Sequence, residues 1–317
     1  MNSAVANESI GRADALDIAS QLDVEPLSPT IGAQINGVDL REPVSPQLRE
    51  AIYGALLAWK VVFFRDQDIS TEQHLAFARS FGELETHPFA PHKDGYPEVL
   101  ALTHDGEHPG RENFWHSDVT WRQQPSLGSV LRCLETPMVG GDTLFADMYA
   151  AYEGLPETLR ERVEGQVAVH DFEVFRRGLR KKGATQAELA AFDAQYPNPE
   201  HPVIRSHPDS GRKGIYVNTG FTKYIVGMDS DSSEELLQAL YTQAHTPEYQ
   251  CRFRWRANSI AFWDNRSCQH YATSDYWPNV RRMERVTIVG DTPRYDVKGP
   301  SADKGDSPFS GRLRPKV

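Results

Sequence analysis

The chain has 317 residues, with 44 acidic against 34 basic side chains and a net charge of −10 at pH 7. Its acidic pI, near 5.6, argues against nucleic acid and anionic membrane surfaces as partners. It has no signal-peptide pattern, no membrane-length apolar run and only three cysteines without metal-site spacing, so we expect a cytoplasmic protein.

Composition shifts divide the chain into a leader, one large domain and a tail. Residues 1–22 are small and polar, which is typical of a mobile leader, and residues 23–295 form a single domain. A charged, helical insertion interrupts the strand pattern at about 148–200. Its Arg176–Lys182 run is either a solvated face or a lid over an acidic substrate. Residues 296–317 are rich in Pro, Gly, Ser and charge and are predicted to be flexible.

Apolar periodicity and capping residues predict the individual elements. In chain order these are strands at 23–42, a helix from Pro46 to Trp59, a buried strand at 61–64, a helix from Ser70 to Phe81, an ordered loop at 83–112, strands at 114–121, 127–135 and 142–146, the helical insertion, strands at 201–228, a helix at 232–245 and strands at 251–291. His74, on the second helix, is expected to face solvent. The residues themselves indicate a β-rich protein with helices.

A His-x-Asp motif lies in the predicted strand at 114–121. Because side chains alternate along a strand, His116 and Asp118 would point to the same face. One imidazole and one carboxylate are two thirds of a 2-His-1-carboxylate site for Fe(II). Taken singly, a core histidine and an aspartate in a turn are the ordinary alternatives.

A second segment far downstream strengthens the metal hypothesis. His270 stands in a Gln-His-Tyr sequence and is followed by Arg281 and Arg285. An arginine can bind a carboxylate through two parallel hydrogen bonds. Arg281 and Arg285 are an even number of residues apart, so one strand would direct both into the same pocket, while Arg282 would face the other way.

Together these motifs resemble the taurine dioxygenase/2,4-D dioxygenase (TauD/TfdA) family. The likeness extends over most of the chain, and the segments that carry it are Ile35–Leu40, Phe81–Leu84, His116–Asp118, Gly140–Thr143, His207–Lys213 and Gln269–Arg285. It implies a β-rich (α+β) fold, namely a double-stranded β-helix or jelly roll, with flanking helices and the helical insertion between the metal-ligand strands. It also implies Fe(II) as metal, with 2-oxoglutarate and O₂ as co-substrates.

The resemblance assigns roles residue by residue. His116, Asp118 and His270 would hold iron, and Thr143 and Arg281 would bind the far carboxylate of 2-oxoglutarate. His87 and Arg285 would form a cationic pair for the anion of the primary substrate. The ordinary alternatives are a strand filler for Thr143 and a loop residue for His87.

The pattern departs from taurine enzymes in the substrate pocket. Ala90 replaces a tyrosine, and Glu112 stands where an asparagine contacts the taurine amine, so a larger anion than taurine is favoured. Glu112 is retained as a candidate substrate contact. The candidate apolar walls, for which core packing is the default interpretation, are Val119, Trp121, Phe172 and Phe221.

The resemblance therefore implies a dioxygenase that hydroxylates a small anion (a sulfonate, an alkyl sulfate or a related carboxylate) and releases succinate and CO₂. Hydroxylation beside a sulfate or sulfonate group would liberate sulfate or sulfite and an aldehyde. A zinc-dependent hydrolase with the same three ligands and a non-catalytic anion-binding jelly roll are the alternatives. A dimer or tetramer is expected from the family likeness.

Overall fold

The computed structural model describes residues 9–297. Within this range, similar numbers of residues are in helices and in strands. The helices are α1 Arg12–Ile18, α2 Pro46–Trp59, α3 Thr71–Arg79, α4 Met148–Glu153, α5 Glu157–Val163, α6 Glu173–Lys181, α7 Gln186–Gln195 and α8 Ser230–Tyr241, with short 3₁₀ turns at Ala19–Gln21, Thr242–His245 and Pro247–Tyr249. The strands are β1 Asp23–Pro26, β2 Ala33–Asn36, β3 Val61–Phe64, β4 His92–Lys93, β5 Tyr96–His104, β6 Ser126–Glu135, β7 Thr143–Asp147, β8 Val167–His170, β9 Glu200–Pro202, β10 Ile204–Ser206, β11 Lys213–Ile215, β12 Thr222–Ile225, β13 Gln250–Phe253, β14 Ile260–Asp264, β15 Cys268–Ala272 and β16 Arg281–Val289.

The fold is built around two main β-sheets. The large sheet has the order β1-β2-β3-β14-β6-β16-β5-β4, and the small sheet has the order β13-β7-β15. Neighbouring strands are antiparallel except for β2 and β3, which are parallel. Side chains of both sheets meet in one core, which includes Phe63 and Trp263 from the large sheet and Phe145 and Phe253 from the small one. The large sheet therefore packs face to face on the small sheet.

Strand alternation explains why β3 is buried on both faces. Val61 and Phe63 point into the core between the sheets, whereas Val62 and Phe64 point the other way into a second core. That second core also receives side chains of α2 and α3, such as Ile52. The helices α2 and α3 thus cover the outer face of the large sheet.

The predicted helices and the strand between them are confirmed. Ser45 caps α2 by accepting a hydrogen bond from the Leu48 N–H at 3.1 Å, and Pro46 occupies the first turn, where it costs no hydrogen bond. Lys60 ends the helix in the left-handed region with φ 63°. Ser70 forms a capping box with Gln73 at the start of α3.

Several sequence predictions are wrong. Residues 12–21 of the expected mobile leader are helical, because Ala15 and Ala19 are buried and Ala15 and Ile18 pack closely on Gly54 of α2. The expected loop at 83–112 contains β4 and β5, whose pattern is hidden by flanking Pro, Gly and His. The helical insertion also includes the strand β8. The tail prediction falls almost entirely outside the described residues.

The strand predicted at 114–121 is also wrong. His116 makes a single isolated bridge, and the chain turns at residues 118–121. Trp115, Val119, Thr120 and Trp121, which suggested a strand, are instead buried around this turn. None of the helices between residues 9 and 297 has the length and apolar character required to cross a bilayer.

His74 is fully buried, which contradicts the prediction that it faces solvent. Its Nε2 donates to the Val130 carbonyl at 3.1 Å, and burial lowers the pKa of its imidazole to about 4. The unfolded chain, with an ordinary histidine pKa near 6.5, binds this proton more readily than the folded one. The contribution of His74 to stability is therefore intact above pH 6.5 and is lost as the pH falls towards 4.

We expect His74→Gln to flatten the acid limb of the stability curve. Glutamine keeps an N–H for Val130 and removes the titrating group, so the slope of unfolding free energy against pH between 6.5 and 4 should decrease by up to about 1.4 kcal/mol per pH unit. Urea denaturation of metal-free protein at several pH values measures the slope. Parallel curves for the variant and the wild type would contradict this assignment.

Candidate active site

His116 and His270 face each other across a short antiparallel bridge. The His116 N–H donates to the His270 carbonyl at 3.1 Å, and the His270 N–H donates to the His116 carbonyl at 2.8 Å. His270 lies on β15 of the small sheet, so this pairing fixes the segment before β6 against that sheet. The centroids of the two imidazole rings are 4.2 Å apart.

Asp118 completes a buried three-residue cluster with these histidines. Its Oδ1 lies 3.9 Å from Nε2 of His116 and 4.0 Å from Nε2 of His270. One ligand atom from each residue lies within 4.8 Å of the other two. The turn at residues 118–121, and not the alternation of a strand, brings the carboxylate to the imidazoles.

The three side chains have the protonation states that a metal needs. Burial lowers the pKa of His116, and it lowers that of His270 to about 3, with the neighbouring His116 adding to the effect. Burial alone would raise the pKa of Asp118, but the Arg285 guanidinium and the two imidazoles outweigh it and lower the pKa to about 2. At neutral pH the cluster is two neutral imidazoles and one carboxylate.

The His116 ring is oriented by its surroundings. Its Nδ1 donates to the Phe114 carbonyl at 2.9 Å, so Nε2 carries the lone pair and points towards Asp118. Two neutral nitrogens and one carboxylate are the donor set that binds Fe(II) while leaving positions open for other ligands. The residues present therefore fit a mononuclear iron centre.

Arg281 and Thr143 lie on facing sheets and share one aromatic neighbour. The Trp255 indole donates to Thr143 Oγ at 2.9 Å, and the Arg281 guanidinium lies 5.9 Å from the Trp255 ring. Arg281 also donates from Nε to the Gly141 carbonyl at 3.2 Å. Trp255 was missed in the sequence, since it follows β13 without any motif to mark it.

Arg281 is a buried cation that has no acidic partner among residues 9–297. Only 4% of it is exposed, burial lowers the pKa of its guanidinium, and it forms no ion pair with any carboxylate in the described part of the chain. A buried charge is costly unless it is paired. The arrangement fits the carboxylate of a bound ligand, as 2-oxoglutarate would supply.

Arg285 contacts the metal-site carboxylate directly. Its Nη1 donates to Asp118 Oδ1 at 2.8 Å, while its buried Nε has no hydrogen-bond partner among residues 9–297. Arg281 and Arg285 both face the space between the sheets. Arg282 points outward and pairs with Glu135 at 2.7 Å, as alternation predicts.

His87 is buried beside Arg285, but it is not a cation. Its Nδ1 accepts hydrogen bonds from the backbone N–H groups of Phe89, at 3.1 Å, and Ala90, at 3.0 Å. Burial, assisted by the charge of Arg285, lowers its pKa to about 3. The prediction of a cationic pair is therefore wrong, since His87 is neutral and carries its proton on Nε2.

An aromatic cluster lies against His87, whose ring is 6.1 Å from that of Trp121. Val119, Trp121, Phe172 and Phe221 are all buried in it. Phe221 reaches the metal cluster, with its ring 6.5 Å from that of His116. The helical insertion contributes Phe172, at the N-cap of α6, Phe175 of α6, and Phe192 and Tyr196 at α7, and Phe89 packs against the same cluster.

Phe175 was missed in the sequence, although its spacing of three from Phe172 was a usable helical signal. Its ring lies 5.1 Å from His87 and 6.2 Å from Phe221. Glu112 is exposed, with its carboxylate 3.6 Å from His104 Nε2, and its charge acts on Arg281. The structure thus places Glu112 towards Arg281, and its role as a substrate contact stays a prediction.

The chain is similar in sequence and in structure to known dioxygenases. The family model described as "Taurine catabolism dioxygenase TauD, TfdA family" matches residues 23–287. An alpha-ketoglutarate-dependent sulfate ester dioxygenase of Pseudomonas putida is 39% identical over 87% of this chain and 92% of its own. An alkylsulfatase of Acinetobacter baylyi is 36% identical over 88% of this chain and 89% of its own.

A crystal structure described as a putative alpha-ketoglutarate-dependent taurine dioxygenase from Burkholderia xenovorans superposes with a TM-score of 0.75. It is 38% identical and covers 88% of this chain and 95% of its own. These relatives support a dioxygenase and do not support the zinc hydrolase or the non-catalytic alternative. The chain belongs to the taurine catabolism dioxygenase TauD, TfdA family.

Proposed function

We propose that the chain oxidises sulfate esters of apolar alcohols, within the activity of its family. As a member of that family it is an Fe(II)- and 2-oxoglutarate-dependent dioxygenase that consumes O₂. The observation that carries the substrate proposal is the position of His87, which lies near Arg285 and packs against the aromatic cluster. An anion-binding pair beside an apolar wall suits a substrate with a sulfate head and a hydrocarbon tail.

In this proposal His116, Asp118 and His270 hold the iron, and Arg281 with Thr143 binds the far carboxylate of 2-oxoglutarate. When bound, iron, 2-oxoglutarate and O₂ supply the oxidising power that places a hydroxyl group on a substrate carbon, with release of succinate and CO₂. Hydroxylation of the carbon next to the ester oxygen gives a product that collapses to an aldehyde and sulfate.

The residues of the chain provide orientation and exclude water. The neutral His87 offers its Nε2 proton and Arg285 its unpartnered Nε to the sulfate oxygens. Phe175 and Phe221 then direct the hydrocarbon tail, so that the carbon beside the ester oxygen lies at the metal cluster. The buried rings keep water from the reacting carbon.

The remaining assignments are part of the same proposal. The two facing sheets are those of a double-stranded β-helix, with residues 23–295 as one domain and the insertion at 148–200 as the wall of the pocket. The protein is proposed to be a dimer or tetramer in the cytoplasm. A reducing compartment suits both Fe(II) and the three buried, free cysteines.

The test is a matched panel of octyl sulfate, octanesulfonate and nonanoate, scored by succinate formed with Fe(II), 2-oxoglutarate and O₂. We expect the sulfate ester to give the highest kcat/KM, with equal amounts of sulfate and succinate. Preference for the sulfonate would favour the second candidate, a sulfonate dioxygenase, which the same anion site accommodates. Preference for the carboxylate would overturn the sulfate-ester proposal.

We expect Arg285→Ala to raise KM for the primary substrate by ~10- to 150-fold and to change the affinity for 2-oxoglutarate only a few fold. The loss corresponds to about 1.5–3 kcal/mol for hydrogen bonds to a charged group, and it falls on KM because the anion is bound before and during reaction. Paired titrations of both co-substrates at saturating iron measure it.

Arg282→Ala is the matched control, because Arg282 lies on the same strand but points to solvent. It should behave as wild type in both titrations. If Arg285→Ala instead loses 2-oxoglutarate affinity and keeps its substrate KM, the proposed roles of Arg281 and Arg285 are exchanged.

A further inference from the structure

The proposed carboxylate ligand stands at the start of a strained turn. Val119, directly after Asp118, has φ 47°, which places a β-branched residue in the left-handed region. Side chains of this shape rarely adopt that conformation, so the surrounding structure must hold the backbone there. The direction of the Asp118 side chain therefore depends on contacts outside the turn.

Asn265 makes contacts of the required kind. Its Oδ1 accepts from the Asp118 N–H at 2.6 Å, and its Nδ2 donates to the Asp118 carbonyl at 2.9 Å. One side-chain amide thus binds both backbone polar groups of one residue. Asn265 is 1% exposed, so water does not compete with these bonds.

Asn265 is itself fixed by a buried polar network. It belongs to the turn between β14 and β15, and its N–H donates to the Leu127 carbonyl at 2.9 Å. On one side of it Asp264 accepts from Arg266 Nη2 at 2.8 Å and is hydrogen-bonded to His207 at 3.0 Å. The strand β15, which begins at the end of this turn, carries His270.

We propose that Asn265 is a positioning residue that holds Asp118 in the geometry required for metal binding. This inference rests on the proposed metal site. The turn between β14 and β15 then sets two of the three ligands, His270 through the strand and Asp118 through the Asn265 amide. Next to Asp118, the Ser117 Oγ donates a hydrogen bond to the Cys268 carbonyl of β15 at 3.0 Å.

The test compares Asn265→Ala with Gln67→Ala. Gln67 is a matched control, since its buried amide also bridges backbone groups, accepting from the Leu40 N–H at 2.8 Å and donating to the Val38 carbonyl at 2.9 Å, away from the metal cluster. The readouts are the Kd for Mn(II), measured by calorimetry on metal-free protein, and amide hydrogen exchange of the Asp118 N–H without metal.

We expect Asn265→Ala to weaken Mn(II) binding by ~10- to 100-fold and to expose the Asp118 amide to exchange, whereas Gln67→Ala lowers Tm but leaves the Kd within about twofold. An unchanged Kd in Asn265→Ala, with wild type binding one equivalent, would overturn the inference. If wild type binds no Mn(II), the proposed metal site itself fails.

Asn265→Asp serves if the alanine variant does not fold. It keeps an acceptor for the Asp118 N–H and loses the donor to the Asp118 carbonyl. We expect it to protect the Asp118 amide from exchange. Its Kd for Mn(II) should be higher than that of wild type and of Gln67→Ala, but by less than about 100-fold. Wild-type affinity in this variant would contradict the need for both hydrogen bonds.

Discussion

His270→Ala is expected to abolish stoichiometric metal binding and turnover while leaving the fold largely intact, and His116→Ala and Asp118→Ala should do the same. Three protein ligands are the minimum for a site of this kind, and loss of one should cost more than the 10- to 100-fold that removing an outer partner costs. Calorimetric titration of Fe(II) under anaerobic conditions measures the stoichiometry, and circular dichroism verifies the fold.

His74→Gln is the matched control for the histidine variants. His74 is as deeply buried as the proposed ligands, but it binds the Val130 carbonyl and lies outside the cluster. It should retain one equivalent of iron. Undiminished iron binding in the His270 variant would refute the assignment of the three ligands.

Arg281→Ala is expected to weaken 2-oxoglutarate by ~10- to 150-fold and the primary substrate far less. A charge-assisted contact to a carboxylate contributes about 1.5–3 kcal/mol, and here the cation is buried without any carboxylate partner in the described residues. Succinate formation measured against 2-oxoglutarate concentration at saturating iron and substrate gives the shift in apparent affinity.

Two further variants sharpen this test. Arg281→Lys should rescue poorly, since an ammonium group cannot reproduce the two parallel hydrogen bonds of a guanidinium. Arg282→Ala, one residue along the same strand but exposed, should match wild type. An apparent 2-oxoglutarate affinity unchanged in Arg281→Ala would remove Arg281 from this role.

Elements with a strong local signal could be predicted from the sequence. The helix α2 has a serine cap, a proline in its first turn and a periodic apolar face, and β3 is a continuous apolar run, so propensity and tertiary packing agree there. The helix α1 is only seven residues long and buries a single side chain, Ala15, while Ala15 and Ile18 pack closely on Gly54. Local pattern alone does not contain that contact.

The turn at Asp118 shows a different limit of sequence reasoning. Its aromatic and β-branched residues favour a strand, but tertiary contacts hold Val119 in a left-handed conformation. Asp118 still lies beside His116, but the turn at residues 118–121 brings it there and not the alternation of side chains along a strand. Likewise, the neutrality of His87 follows from two backbone N–H groups that only the folded loop presents to its ring.

Some residues of the candidate site could be predicted from the sequence, and others could not. Motif spacing together with the family resemblance nominates His116, Asp118, His270 and Arg281, because their residue types carry the chemistry. Trp255 and Asn265 have no such signal, since an indole and an amide are common core residues whose importance lies in what they touch. Contacts over more than a hundred residues of chain decide their roles.

Sulfate release from octyl sulfate, with and without 2-oxoglutarate and O₂, tests the central claim most directly. We expect sulfate, succinate and octanal to form in equal amounts, and omission of either co-substrate to stop sulfate release. Sulfate released at the same rate without 2-oxoglutarate or under anaerobic conditions would mean hydrolysis of the ester and would contradict the oxidative mechanism.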